Sequence, residues 1–284
     1  MKSPFVTPEK QTGLPETTTL NLSGVAETLL ITLYIRAMES QRADALVKDE
    51  RAEALVGQLD QETLRKTLAL TDDFSRVAVI LKGREFDRFA RDFLARHPDA
   101  VVGHIGCGLD TRFERVDDGR VEWYDLDLPE VIALRRELIG GEGVRHHFLA
   151  DSALDRAWLD TVSAHRQRPF LFLAEGVFMY FEGAQVRSLV LALRDRFPGS
   201  ELVLDAFSPF MRWAHNFKVT RTGIGAPLHW ALKRGQDLER WGEGIRLLDQ
   251  RFPFQYREPR MRDAIKMRLF PFLTTAIGVL RYQL

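Results

Sequence analysis

The chain has 284 residues, and its 40 lysine and arginine residues balance 40 aspartate and glutamate residues, so its formal net charge is zero. That balance argues against a polyanionic partner, and we predict binding to neither nucleic acid nor a membrane. Hydrophobic residues make up 45% and charged residues 28% of the sequence, which is typical of a folded globular protein. Cys107 is the only cysteine, which excludes an internal disulfide and a thiolate zinc cluster and favours a cytoplasmic location.

The first 97 residues are predicted to form a loose arm and a helical cap. Met1–Thr19 is rich in proline, threonine and glutamate and lacks the apolar core of a secretory signal. Over Asn21–Met38 and Asp72–His97, apolar residues recur at three- and four-residue steps, which predicts amphipathic helices. The second helix should end at His97, because the residue before a proline is disfavoured in the helical region.

Residues 98–207 are predicted to form a doubly wound α/β domain. Short apolar runs predict strands over Val101–Ile105, Val121–Leu126, Val144–Leu149, Phe170–Ala174 and Glu201–Phe207. Helical spacing between these runs predicts helices over Pro129–Ile139, Ala153–Ala164 and Ala184–Phe197. Such alternation implies right-handed crossovers and a parallel sheet.

The alternation stops after Phe207. Residues 208–244 mix glycine, proline and tryptophan, and we interpret them as an aromatic, loop-rich insertion that could serve as a substrate lid. In residues 245–284, two further strands are predicted over Ile245–Phe254 and Ala276–Gln283, on either side of a basic helix at Met261–Leu269.

The first predicted strand leads directly into Gly106-Cys107-Gly108. Glycines at this turn let the backbone approach a ligand closely, as in nucleotide-binding α/β proteins. Thr111 stands where a dinucleotide fingerprint has its third glycine, so the pattern departs from that fingerprint. A tight turn without a ligand is the alternative interpretation.

Polar side chains also end the second and third predicted strands. Asp127 follows the glycines by about 20 residues, where a ribose-binding acid is found in such folds. Asp127 could instead cap the next helix, or form a metal-binding pair with Asp125. Asp151 and Ser152 could contact an adenine base or cap the helix that follows them.

Glu175 interrupts the most apolar run of the chain, Pro169–Phe181, which is too short to cross a membrane. A carboxylate buried there without a partner would cost several kcal/mol, so we expect it to face a cleft or a cationic group. A purely structural role for Glu175 is the alternative. Together with the glycine turn and Asp127, it would place three polar strand ends at the switch point of the sheet.

Three segments together resemble the leucine carboxyl methyltransferase family, and in particular its bacterial polyketide-type, tetracenomycin-like branch of O-methyltransferases. They are Gly106–Arg112, Trp123–Ile132 and Ala174–Tyr180, and they occur in the order and spacing of the family. The similarity extends from about Gly24 to the C-terminus. It implies a class I S-adenosylmethionine-dependent methyltransferase, with a Rossmann-like seven-stranded sheet whose last strand is antiparallel.

The resemblance also implies roles in binding S-adenosylmethionine. Gly106 and Gly108 would underlie its methionine part, Asp127 would bind the ribose hydroxyls, and Glu175 would lie by the ammonium group.

Four further positions complete the implied cofactor site. Asp151 and Ser152 would lie by the adenine, and Arg84, with Lys82 as the alternative, would pair with the cofactor carboxylate. The family often has an acid or asparagine at the position of His104.

The implied reaction is methyl transfer to a carboxylate or a phenolic hydroxyl of a small, polyketide-like molecule. A carboxylate needs no base, whereas a phenol would benefit from one, and Tyr180, His215 and His229 are the candidates. Arg36 or Arg212 could hold an acid group of the acceptor. The alternatives are a protein C-terminal carboxylate as acceptor, a non-catalytic cofactor-binding protein, and a nicotinamide-dependent oxidoreductase. We expect no metal, and the sequence makes no prediction about oligomeric state.

Overall fold

The computed structural model describes residues 25–58, 71–223, 225–256, 258–261 and 271–284. Within these ranges the strands are β1 Val101–Ile105, β2 Glu122–Asp127, β3 His146–Ala150, β4 Phe170–Ala174, β5 Glu201–Phe207, β6 Arg246–Arg251 and β7 Ile277–Gln283. The helices are α1 Val25–Ser40, α2 Glu50–Val56, α3 Asp73–Arg96, α4 Arg112–Val116, α5 Pro129–Leu138, α6 Ala157–Val162, α7 Gly183–Arg196, α8 Pro209–Thr222 and α9 Pro271–Thr274.

The seven described strands form one sheet in the order β3-β2-β1-β4-β5-β7-β6. Strands β1 to β5 pair in parallel, and β7 runs antiparallel to both of its neighbours. The α/β fold with a reversed last strand is therefore confirmed. The strand order changes direction between β1 and β4, which is where ligands bind in such sheets.

The registers of the central strands bring their carboxyl ends together. Ile105 pairs with Leu126 on one side and with Ala174 on the other. The residues that follow Ile105 and Ala174, Gly106 and Glu175, therefore leave the sheet side by side. This register assembles a site from segments that are far apart in the sequence.

Helices cover the sheet on both faces, and strand β4 is buried along its whole length. On one face, Leu171 and Leu173 lie in a cluster with the phenylalanines of α3; on the other, Phe170 and Phe172 lie in a cluster with the apolar side of α7. Burial of each such side chain contributes about 1.5–3 kcal/mol. This packing explains why β4 is apolar at every position.

Two predicted elements differ from the structure. The helix expected over Ala153–Ala164 begins only at Ala157, because Ser152 Oγ and the Asp155 carboxylate accept backbone N–H groups and form turns before it. The insertion expected to be loop-rich contains the 14-residue helix α8, none of whose residues is buried.

The predicted arm Met1–Thr19 and residues 262–269 of the predicted basic helix lie outside the described residues. Among the helices that are described, none has the length and apolar character needed to cross a bilayer. The predicted strands agree with the strands of the structure to within three residues at each end.

Candidate active site

The turn after β1 has a conformation that favours glycine. Gly106 and Gly108 have φ values of +66° and +51°. A Cβ atom on Gly106 would lie 2.3 Å from Cγ2 of Val177, and one on Gly108 would lie 2.7 Å from Cδ2 of Leu29. The turn is thus enclosed between the segment that follows β4 and helix α1, and a side chain at either glycine would displace one of them.

Asp127 binds this turn from the end of β2. Its Oδ2 accepts the Gly108 N–H at 2.7 Å, and its Oδ1 accepts the Leu128 N–H at 2.8 Å. Burial raises the pKa of Asp127, against the opposing effect of these two hydrogen bonds. Because each carboxylate oxygen has two lone pairs, one acceptor direction on each oxygen is left for a ligand. Asp127 therefore joins two strand ends, which is more than a local helix cap.

Asp125 is fully buried and is bound by four cationic or ring groups, one of which is the Trp123 indole, donating to Oδ1 at 2.8 Å. Its carboxylate lies 2.5 Å from Arg135 Nη2, 3.0 Å from His104 Nδ1 and 2.6 Å from His146 Nε2. Burial would raise the pKa of Asp125, but Arg135 and both histidines lower it well below its usual range. The alternative of a metal-binding pair with Asp127 does not fit, because Asp125 is already neutralised.

Glu175 lies between two cations, in agreement with the expectation that it needs a charged partner. Its Oε2 accepts a hydrogen bond from Arg112 Nη2 at 2.5 Å, and its Oε1 lies 3.6 Å from Lys82 Nζ. Lys82 also donates to Asp205 at 2.9 Å. Burial opposes the charge on Lys82, but Asp205 and Glu175 outweigh it and raise the pKa of the lysine above its ordinary value. The site therefore holds a cation and an anion side by side.

Arg112 is the site residue that sequence reasoning missed. It is 1% exposed and, besides Glu175, binds Asp87 at 2.8 Å, Asp110 at 2.8 Å and His104 Nε2 at 3.2 Å. Its position at the end of the Gly106–Arg112 segment was the feature of the sequence that could have identified it. It was missed because a charged residue just after a turn is usually exposed. Its partners come from three other parts of the chain.

The structure favours Lys82 over Arg84 as the basic residue at this edge. The Arg84 guanidinium lies 5.0 Å above the centre of the Tyr256 ring and 3.5 Å from Glu85, rather than beside Glu175. The two residues are two positions apart on α3, which places their side chains on different sides of the helix.

Asp151 and Ser152 lie at the end of β3, next to Asp127. The Asp151 N–H donates to the Asp127 carbonyl at 2.9 Å, and Asp151 Oδ1 accepts the Ser152 N–H. Ser152 Oγ accepts the Leu154 N–H at 3.2 Å, so it closes a turn rather than capping a helix. Asp151 Oδ2 is left as an acceptor at the same edge as Asp127.

The three candidate bases occupy different surroundings. Tyr180 is 41% exposed as a residue and lies close enough to Lys82 and Asp205 to feel their charges, while burial of its hydroxyl raises its pKa. His215 Nε2 contacts the Ala226 carbonyl at 3.0 Å. His229 Nδ1 lies 2.9 Å from the Glu182 carboxylate. Of the three, Tyr180 is the one the structure brings to the Lys82 side of the site.

Backbone hydrogen bonds hold the insertion, residues 208–244, against the segments that follow β4 and β5. The His229 and Trp230 N–H groups donate to the Met179 carbonyl, and the Leu232 N–H donates to the Phe207 carbonyl. Arg212, proposed from the sequence to hold an acceptor, instead donates to the His229 carbonyl at 2.5 Å.

Arg36, the other residue proposed to hold the acceptor, is buried in structural contacts. It donates to Asp49 at 2.9 Å and to the Leu109 carbonyl at 2.7 Å. These bonds attach α1 to the glycine turn. The structure therefore gives both arginines a role in fixing the walls of the site.

Comparisons with known proteins identify the family of the chain. The family model for leucine carboxyl methyltransferase matches residues 29–193. The tetracenomycin polyketide synthesis O-methyltransferase TcmP of Streptomyces glaucescens is 35% identical over 272 residues, which are 93% of this chain and 98% of TcmP. The S-adenosyl-L-methionine-dependent methyltransferase dpfgK of Gibberella zeae is 28% identical over 250 residues, covering 82% of this chain and 84% of dpfgK.

Two crystal structures share the fold. A protein of a family of unknown function from Streptomyces avermitilis has a TM-score of 0.55 at 15% identity and covers 90% of this chain and 96% of its own length. A second structure, from Thermobifida fusca, has a TM-score of 0.53 at 18% identity and covers 88% and 93% of the two chains.

The sheet order, with one reversed strand and a glycine turn at the switch point, is that of a Rossmann-like α/β fold, and the family-model match together with the identity to TcmP define the chain as a methyltransferase. Within that class, the chain belongs to the leucine carboxyl methyltransferase family.

Proposed function

We propose that the chain transfers a methyl group from S-adenosylmethionine to an oxygen of a small acceptor in the cytoplasm, and that the cofactor's amino-acid end binds against the adjacent Glu175 and Lys82 side chains. The observation that carries this placement is the 3.6 Å separation of Glu175 Oε1 and Lys82 Nζ. An α-amino acid bears its ammonium and carboxylate on one carbon, so a neighbouring anion and cation complement both charges. Lys82 uses one of its three donors on Asp205 and keeps two for a ligand.

The other end of the cofactor fits the ends of β2 and β3. The two acceptor directions left on Asp127 match the two hydroxyls of a ribose, and Asp151 Oδ2 can accept the amino group of adenine. Gly106 and Gly108 pass beneath the methionine part, where a side chain would intrude. The cofactor placed in this way lies along the carboxyl ends of four neighbouring strands, β4, β1, β2 and β3.

When bound, S-adenosylmethionine supplies an electrophilic methyl group on a sulfonium centre. The protein's residues then have to align the acceptor oxygen and exclude water, and orientation of this kind can contribute about 7–11 kcal/mol. The segment that hydrogen-bonds Met179 and Phe207, together with α8, forms the wall nearest the ends of β4 and β5.

A carboxylate acceptor fits the site better than a phenol. The raised pKa of Tyr180 keeps its hydroxyl protonated near neutral pH, which suits hydrogen-bond donation rather than proton removal. A carboxylate acceptor requires neither His215 nor His229 as a base. A carboxylate is ionised without help, and TcmP, a polyketide O-methyltransferase by name, supports a polyketide-like acceptor.

Calorimetric titration with S-adenosylhomocysteine tests the cofactor site. We expect Asp127→Asn and Glu175→Gln each to weaken binding by at least tenfold, because each removes a charge-assisted contact. Glu122→Gln is the matched control: it changes a carboxylate on the same strand as Asp127, at the opposite end. Equal affinities in all four proteins would overturn the placement.

Transfer of labelled methyl from S-adenosylmethionine tests the acceptor class. Polycyclic aromatic acids should be methylated, and the same compounds with the acid blocked as an amide should not. If the amide-blocked compounds are still methylated, at a free phenolic hydroxyl, the acceptor is a hydroxyl. If only peptides are labelled, at their C-terminal carboxylate, the acceptor is a protein.

A further inference from the structure

Asp205 is a completely buried carboxylate in β5 that joins two parts of the proposed cofactor site. Its Oδ1 accepts the Gly176 N–H at 2.6 Å, and its Oδ2 accepts Lys82 Nζ at 2.9 Å. Gly176 directly follows Glu175 and has a φ of +72°. Asp205 therefore contacts both the backbone that carries Glu175 and the ammonium group opposite it.

These two contacts determine the spacing of the charged pair. Lys82 extends from α3, whereas Glu175 leaves the end of β4, and the elements are connected here through the carboxylate of a third strand. Without Asp205, the Gly176 N–H would lose its acceptor and the Lys82 ammonium would lose its shortest contact.

We propose that Asp205 is a positioning residue for the cofactor: it holds Lys82 as a cation at a defined distance from Glu175 and so builds the receptor for the zwitterionic amino-acid end. This inference rests on the proposed placement of that end at Glu175 and Lys82. It assigns Asp205 no contact with the cofactor itself.

The charge on Lys82 depends on three groups from three segments: Asp205 in β5, Glu175 after β4, and Tyr180 in the turn that follows. Burial lowers the pKa of Lys82, and the two carboxylates more than compensate. If Asp205 becomes neutral, Glu175 at 3.6 Å is the remaining carboxylate that counteracts the effect of burial on Lys82, and Arg112 competes for that carboxylate. The lysine should then lose its proton at a lower pH.

The variant Asp205→Asn tests this role, because its side-chain oxygen can still accept the Gly176 N–H. Affinity for S-adenosylhomocysteine would be measured by calorimetry from about pH 7 to about pH 9.5, below the ordinary lysine pKa of about 10.4. We expect the ratio of the variant's Kd to the wild-type Kd to increase at least tenfold across this range. The ligand's own amino group titrates equally in both experiments and cancels in the ratio.

Three controls separate positioning from general damage. Methylthioadenosine lacks the amino-acid end, so its affinity should be the same in Asp205→Asn and in the wild type. Glu201→Gln changes another buried, ion-paired carboxylate at the opposite end of β5 and should give a pH-independent ratio. In the double variant Asp205→Asn/Lys82→Arg, the guanidinium stays charged, so the pH dependence should disappear.

Two results would overturn the inference in different ways. If Lys82→Met weakens binding tenfold but Asp205→Asn gives a pH-independent ratio, the cofactor site stands and Asp205 is only structural. If neither Lys82→Met nor Glu175→Gln changes the affinity, the proposed placement itself is wrong. Should Asp205→Asn fail to fold, Asp205→Glu displaces the charge instead, and it should weaken S-adenosylhomocysteine while leaving methylthioadenosine unaffected.

Discussion

Arg112 shows how a single buried residue can connect the fold to the site. Its guanidinium is shared by three carboxylates, those of Asp87, Asp110 and Glu175, and by the His104 ring. A planar group with five donors in a fixed geometry suits this sharing, whereas a lysine ammonium would not reach all the partners. The position of the Glu175 carboxylate is thus set by a residue that follows the glycine turn.

Replacement of Arg112 by methionine should reduce the free energy of unfolding by about 3–5 kcal/mol, because it leaves buried carboxylates without their partner. Urea unfolding measures the change. Arg196→Met is the control: Arg196 pairs with Asp160 at the surface, where such pairs contribute about 0–1 kcal/mol. Similar losses in the two variants would contradict a dominant role for the buried cluster.

At the scale of elements, α8 is unusual because its apolar side faces outward. Phe210, Trp213 and Phe217 are 45%, 62% and 54% exposed, and their spacing puts them on one side of the helix. Adjacent rings lie 5.9 Å apart between centroids. Such a surface beside the end of β5 is consistent with the proposal that this segment contacts an aromatic acceptor.

Trp213→Ser should change the free energy of unfolding by no more than about 0.5 kcal/mol, because the indole is largely exposed. If α8 contacts the acceptor, the same variant should raise the acceptor KM several-fold and leave the affinity for S-adenosylhomocysteine unchanged. Val144→Ser, an exposed apolar residue before β3, is the control. A lowered cofactor affinity in the Trp213 variant would argue against separate cofactor and acceptor regions.

For the whole molecule, the buried charges predict how stability depends on pH. Burial would raise the pKa values of Asp87, Asp110 and Asp125, but neighbouring arginines lower all three below the ordinary value. Such groups stabilise the folded state above the unfolded pKa of about 3.9, and this stabilisation is lost as the pH falls through their folded values. Asp127, with a raised pKa, acts in the opposite direction.

The free energy of unfolding should therefore stay nearly constant from about pH 7 to about pH 5 and fall steeply below about pH 4. Urea unfolding at a series of pH values would measure this, with Asp125→Asn showing a shallower decrease than the wild type. Stability that is unchanged down to about pH 3 would mean that these ion pairs contribute little net free energy.

The sequence by itself determined the sheet, the glycine turn and the two acids at its edge. These features are local. Apolar runs indicate the strands, glycines indicate the turn, and Asp127 and Glu175 stand out as acidic residues at the ends of apolar runs. The bounds of β1, β4 and β5 were predicted without error for the same reason.

Only the tertiary structure decided which charged groups meet. Lys82 pairs with Asp205 across 123 residues, and Arg112 pairs with Glu175 across 63. No periodicity records such pairs, so the contacts of Lys82, Arg112 and Asp205, on which the proposals rest, became visible only after the strand ends were assembled. Helix α8 was missed because the prolines and glycines of residues 208–244, among them Pro209 at its start and Gly223 at its end, were interpreted as a loop, although Phe210, Trp213 and Phe217 keep helical spacing.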